Sequence, residues 1–317
     1  MQTHDTGEHG PQPAASKDST APGSRPTYRP LPAEVYEALG PYNYGLVDPR
    51  PGVRDPLFYI GRGRRQRVLA HVWTAQMLQD DLTAAYAFPG VMDAEVVREE
   101  VEAAEGDVEL DKLERIRAIH DAGFRVRHVL LGWLGADVEE QLDIESVSAH
   151  TESIAINVRI LAATADPYAS LADAGLTNLV RGAHSQMVDL DDLVLALAAP
   201  AIGQLDDDFA VVVINKKFDP RMSDAELMDA LSGIWMAGAT ARANPNLKIL
   251  AVAGNIVRAA VRAIDWEEVE PRFWRFTPVP DAALTHLVKT RVDPRAFGYD
   301  RWPDNGWLPQ LTRRLAP

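Results

Sequence analysis

The chain contains no cysteine. Disulfide staples, thiolate nucleophiles and cysteine-held zinc are therefore excluded. It is also short of positive charge, with 32 Lys and Arg against 46 Asp and Glu and a formal net charge of −14. A protein that coats a polyanion along its whole surface needs lysine and arginine to displace phosphate counterions. Any polyanion site must then be local. Nowhere does an apolar run reach the roughly 18 residues that span a bilayer, and no charged start leads into an apolar segment at the N-terminus. A cytoplasmic location is the expectation.

What is present supports a core. The chain has 317 residues, 46 % of them hydrophobic, enough for about two domains. Residues 1–32 are rich in Pro, Gly, Ser and Thr and poor in aliphatics, the composition of a disordered tail. Residues 33–186 and 187–317 read as two α+β domains. In the first, Tyr42–Val47 and Leu57–Gly61 are short aromatic and β-branched runs around a Pro- and Gly-bearing loop, predicting a hairpin. Val68, Val72, Ala75 and Leu78 then predict a helix. Glu95–Glu109 is acidic and reads as a solvated helix face or a lid. A helix over Asp111–Ala122 follows, with Gly123 as its stop, then a strand over 125–134 and a long helix over Asp137–Ala162. Leu176-Thr177-Asn178 closes the unit.

In the second domain, Ala210–Asn215 predicts a strand buried on both faces. Ser223 and Glu226 have the spacing of a capping box. Gly254-Asn255 between two apolar runs predicts a two-residue hairpin turn, and Arg272–Phe276 another strand. Trp235, Trp266, Trp274, Trp302 and Trp307 gather here with Arg242, Arg258, Arg272 and Arg275. Such groups can stack on an unpaired base, although large aromatics in a small domain more commonly fill its core.

Chemistry concentrates in residues 42–71. Arg54, Arg62, Arg64, Arg65 and Arg67 face a single acid, Asp55, within fourteen residues. An acidic body with one basic cleft can still attract and orient a polyanion. Tyr44 and Tyr59 can meet across the hairpin if the register allows, and Arg67 and His71, four apart on a helix, point the same way. The helix start, with Gly61 and Gly63 letting the backbone approach, would favour a phosphate. A tyrosine pair in a hairpin is more often plain core, and an Arg/His pair on a helix is more often solvated.

Taken together, Tyr42-x-Tyr44, Asp48-Pro49-Arg50, Phe58-Tyr59-Ile60-Gly61-Arg62-Gly63 and Arg67-x-x-x-His71 resemble the GIY-YIG endonuclease superfamily. The likeness is to the branch found in LEM-domain nucleases and many bacterial proteins, and it extends over about residues 40–185. Asn43-Tyr44-Gly45 departs from the Gly-Ile-Tyr of the first motif, and Arg62 stands where lysine is common. The resemblance implies a small mixed sheet flanked by helices and a DNA endonuclease, suited to restriction or phage defence. Tyr44 would orient the attacking water, Tyr59 would hold the water and phosphate network, Arg67 would bind the scissile phosphate, and His71 would assist. One glutamate would hold Mg²⁺ or Mn²⁺. Glu152 fits that position better, with Glu145 as the alternate seven residues earlier. Arg62, Arg64 and Arg65 would contact the nucleic acid.

The second domain faintly resembles a PUA-like barrel, which would make it a reader of nucleic acid or modified bases. A homo-oligomer is open. Two other readings stand beside the nuclease: a nucleic-acid-binding or sensor protein that keeps the fold without turnover, and an unrelated α+β enzyme whose tyrosines are only core.

Overall fold

The computed structural model describes residues 26–79, 107–136, 144–177, 187–203, 205, 208–297, 299–303 and 306–309. The acidic segment 95–106, residues 137–143 of the expected long helix, and Asn178 lie outside them. The chain divides into two compact units, Met1–Val194 and Leu195–Pro317. Both are mixed α+β. Among the described residues no helix is long and apolar enough to cross a membrane.

The first unit runs α1 (Ala33–Leu39), β1 (Tyr42–Val47), β2 (Leu57–Gly63), α2 (Arg67–Gln79), α3 (Asp107–Asp121), β3 (Arg127–Trp133), α4 (Ile144–Thr164), β4 (Val188–Asp189) and the start of α5 (Leu190–Ala198). Its sheet has the order β2-β1-β3-β4, every neighbouring pair antiparallel. Because β4 pairs with β3, this unit extends past residue 186, where the sequence reading placed its end. β1 lies inside the sheet and is almost wholly buried. Alternation along the strands sends Val47, Val129 and Leu131 to one face, where Leu161, Ile154 and Val158 of α4 pack on them. The buried amide of Asn157 donates to the Leu131 carbonyl at 2.9 Å and fixes how α4 sits on β3. Val68, Val72 and Ala75 are fully buried on α2, and Leu113, Ile116 and Ile119 are buried on α3, which packs against α2.

Two locks hold the hairpin loop and the N-terminal strap in place. The Asp48 carboxylate, 1 % exposed, takes Arg50 Nη2 at 2.7 Å and Arg115 Nε at 3.3 Å. Arg50 and Arg115 also donate to the Ala118 and Asp55 carbonyls, tying the β1–β2 loop to α3. Burial pushes the Asp48 carboxyl up, but its bonds to Arg50 and Arg115 outweigh this and hold it below the usual carboxylate range.

The second lock corrects the expected tail at residues 26–32. Tyr28 is 6 % exposed, accepts from the Val126 N–H at 2.8 Å, and pairs with His120 Nε2 at 2.9 Å. The Gln66 amide bonds both backbone groups of Leu31, and Gln76 donates to Pro26. Low aliphatic content concealed a strap held by one phenol and two amides. Residues 1–25 lie outside the described set.

The second unit contains β5 (Phe209–Val213), α6 (Asp224–Ser232), α7 (Ala239–Arg242), β6 (Lys248–Ala253), β7 (Ile256–Glu270), β8 (Phe273–Pro280) and β9 (Trp307–Pro309). The capping box forms: Ser223 Oγ accepts from the Glu226 N–H, and the Glu226 carboxylate from the Ser223 N–H. Gly254 and Asn255, at φ 59° and 61°, make the β6–β7 turn, since a tight hairpin turn of this hand needs two positive φ values. The sheet order is β8-β7-β6-β5-β9, with β5 and β6 parallel. The described strands form an open sheet with β8 and β9 at its edges, in place of a PUA-like barrel. Parallel strands need a crossover, and α6 and α7 supply it, so Leu227, Leu231 and Ala241 cover one sheet face. Leu205, Leu284, Leu287 and Val292 cover the other. Trp235 and Trp307 are core, with the Trp266 ring 5.9 Å from that of Trp307.

Candidate functional site

In the first unit a cleft of about 1490 Å³ opens at the end of the sheet where β1 begins and β2 ends. Tyr59 and Arg67 line it, together with Arg62, Arg64 and Arg65. The N-terminal part of α4 adds Val147, His150 and Thr151, and the strap and α1 add Leu31, Ala33 and Tyr36.

The register explains how the tyrosines meet. Tyr44 lies opposite Gly61, and Leu46 opposite Tyr59. Tyr59 is thus the diagonal same-face neighbour of Tyr44, with ring centroids 6.0 Å apart. Gly61 makes this possible: a Cβ there would sit 2.7 Å from Tyr44 Cζ and 2.7 Å from Tyr59 Cε1. Gly63 plays the same part for Arg67, whose Cβ and Cγ would lie 2.6 and 2.7 Å from an added Cβ. These glycines seat side chains. They were expected to bring backbone to a phosphate.

The start of α2 is also occupied. The Tyr42 hydroxyl accepts from the Val68 N–H at 3.0 Å and donates to the Arg65 carbonyl at 2.9 Å. Arg67 N–H goes to Arg64 O and Leu69 N–H to Gln66 O. An anion here would meet arginine side chains more readily than helix N–H groups. Burial pushes the Tyr42 phenol up, which suits a capping group that stays protonated.

Behind the cleft lies a buried layer. The Tyr44 hydroxyl and His71 Nε2 are 3.0 Å apart, with Tyr44 0 % and His71 1 % exposed. The His71 ring stands edge-on to Tyr59 at 4.6 Å between centroids, and Lys112 Nζ lies 4.6 Å from the Tyr59 centroid. Of the expected residues, Tyr59 and Arg67 reach the cleft. Tyr44 and His71 are not in its lining; both pack against Tyr59, and Tyr44 also lies beside the lining residue Tyr42 at 6.0 Å between ring centroids. The phase of α4 separates Glu152 from them: Val147, His150 and Thr151 face the cleft, while Glu152 is exposed and outside its lining. The side chain of Glu145 lies outside the described residues.

A divalent hard cation takes carboxylate oxygens. Among the described residues no carboxylate lines the cleft, and no cluster of three His, Asp or Glu forms a metal site. The described lining offers cationic groups that fit an anion, while the side chain of Glu145, the alternate ligand for the expected Mg²⁺ or Mn²⁺, lies outside the described residues. Sequence reasoning passed over the Val147, His150 and Thr151 face, although a spacing of three and four was there to find it.

No protein-family model matches the chain, and neither does any curated protein or any solved structure.

Proposed function

We propose that the first unit is a GIY-YIG-type nuclease unit whose cleft binds nucleic acid, DNA by the resemblance, and hydrolyses its phosphodiester bonds. The observation that carries this reading is the meeting of Tyr59 and Arg67 with three further arginines in one cleft, backed by the buried Tyr44–His71 pair. Hydrolysis forms a P–O bond to water and breaks the P–O bond to the sugar; one proton leaves the water and one reaches the departing oxygen. Arg67 holds the phosphate and offsets charge developing on its oxygens. Tyr59 orients the water. Tyr44 and His71 are positioning residues that set the angle of the Tyr59 ring. No step is assigned to a metal.

A second reading starts from a cleft lining with no carboxylate among its described residues: the unit binds phosphodiesters and does not turn them over. The second unit, in either case, serves as a positioning module, in which Trp235 and Trp307 are core and Trp266, Trp274 and Trp302 are half-buried. Restriction or defence would suit a nuclease paired with such a module.

Plasmid nicking with Mg²⁺, with Mn²⁺ and in chelator tests the reading. Wild-type protein nicks DNA, and Arg67→Ala lowers the rate by about a hundredfold or more. Tyr59→Phe lowers it as well, and Glu152→Ala leaves it unchanged. DNA binding with no cleavage under any condition supports the second reading. Absence of both sinks the assignment.

A further inference from the structure

The described part of the first unit leaves three large apolar side chains exposed, Ile60 at 51 %, Val147 at 46 % and Leu134 at 38 %, and all three line the arginine-bearing cleft. Single exposed apolar residues are ordinary, but a group gathered in one concavity marks a binding surface. This wall belongs to β2, α4 and the residue after β3, so three separate elements place it. It faces the same space as Arg64, Arg65 and Arg67. The ligand must therefore offer an apolar face next to an anion. The cleft, at about 1490 Å³, also exceeds the roughly 300–1,000 Å³ of small-molecule pockets, which favours a segment of polymer.

We propose that the cleft takes an unpaired nucleotide of a single-stranded nucleic acid, its phosphate on Arg64, Arg65 and Arg67 and its base against Ile60, Leu134 and Val147. This rests on the reading of the cleft as a phosphodiester site and narrows its substrate class. A duplex hides its base faces in the stack and offers an aliphatic wall only edges and phosphates; an unstacked base presents a flat apolar face. The cationic lining, with no carboxylate among its described residues, needs no bridging divalent ion to accept the phosphate.

Fluorescence anisotropy of the full chain in chelator, with labelled single-stranded DNA, single-stranded RNA and a duplex of the same length, tests this. One or both single strands should bind about tenfold or more tighter than the duplex. Ile60→Ser with Val147→Ser should weaken single-strand binding by about tenfold, the size expected when two half-exposed aliphatic groups lose their contact, and leave duplex binding unchanged. Both positions are exposed, so the fold tolerates them, and a matching melting temperature confirms it. Equal affinity for single strand and duplex, or an unaffected Ser variant, overturns the single-strand proposal while the phosphodiester reading survives. Binding of none of the three probes overturns both.

Discussion

Replacing Gly61 by alanine adds one methyl group at the point where the two tyrosines of the hairpin meet. The new Cβ would lie 2.7 Å from both Tyr44 Cζ and Tyr59 Cε1 and 2.8 Å from Tyr44 Cε1. Tyr44 cannot yield: it is 0 % exposed and its hydroxyl is tied to His71 at 3.0 Å. Tyr59 is only partly buried and lines the cleft, so it is the ring that moves. Overpacking of this kind costs about 1–3 kcal/mol. Alanine recovers up to about 0.5–1 kcal/mol, since glycine is unfavourable in a strand. The mid-range cost of about 2 kcal/mol less this recovery leaves a net loss of about 1–1.5 kcal/mol, or roughly 2–6 °C in melting temperature for a unit of this size. The functional effect should exceed the stability effect, since Tyr59 is displaced in the folded state. Circular dichroism melts and cleft binding, measured on one preparation, check both. A Gly61→Ala protein that melts within 1 °C of wild type, a margin well inside that expected shift, and binds nucleic acid equally well would refute the seating argument.

Three further outcomes follow from the locks around the site. Asp48→Asn should destabilise the first unit by about 1–3 kcal/mol by weakening bonds to two arginines. The folded Asp48 carboxyl is held low, so its contribution is present above about pH 4 and is lost as pH falls through the lowered value; wild type and variant should converge in acid denaturation. Tyr28→Phe leaves the buried Val126 N–H without its acceptor and should cost about 1–3 kcal/mol, seen in chemical denaturation. Burial pushes His120 down to about 4 and His128 down to about 3. Unfolded histidines take protons below about pH 6.5 that these two refuse, so stability should fall as pH drops from there toward 4, and His128→Gln should flatten that fall in pH-resolved melts.

Features encoded over a few residues were legible in the sequence. The Gly254-Asn255 turn needs two positive φ values, and the capping box needs only Ser223 and Glu226. The β1–β2 hairpin likewise follows from its own alternation and loop. What was hidden depends on partners far along the chain. Tyr28 lies in a segment of disordered composition, yet its hydroxyl takes an N–H 98 positions away. The phase of α4 is set by Asn157 and Ile154 on β3, which turns Val147, His150 and Thr151 to the cleft and leaves Glu152 outside it. A seven-residue spacing placed Glu145 and Glu152 on one face without saying which. Four of the five strands in the second unit were readable, whereas β9 and the crossover that makes β5 and β6 parallel were not.

The most direct test of the central claim, that nucleic acid is held in the first-unit cleft, is the salt dependence of binding for two double variants. Each phosphate contact contributes about 0.7–0.9 to the slope of log affinity against log salt. Arg64→Ala with Arg67→Ala should lower the slope by about 1.5, while Arg272→Ala with Arg275→Ala in the second unit should leave it unchanged. A slope unaffected by the cleft pair, or lowered equally by the second-unit pair, would contradict the account.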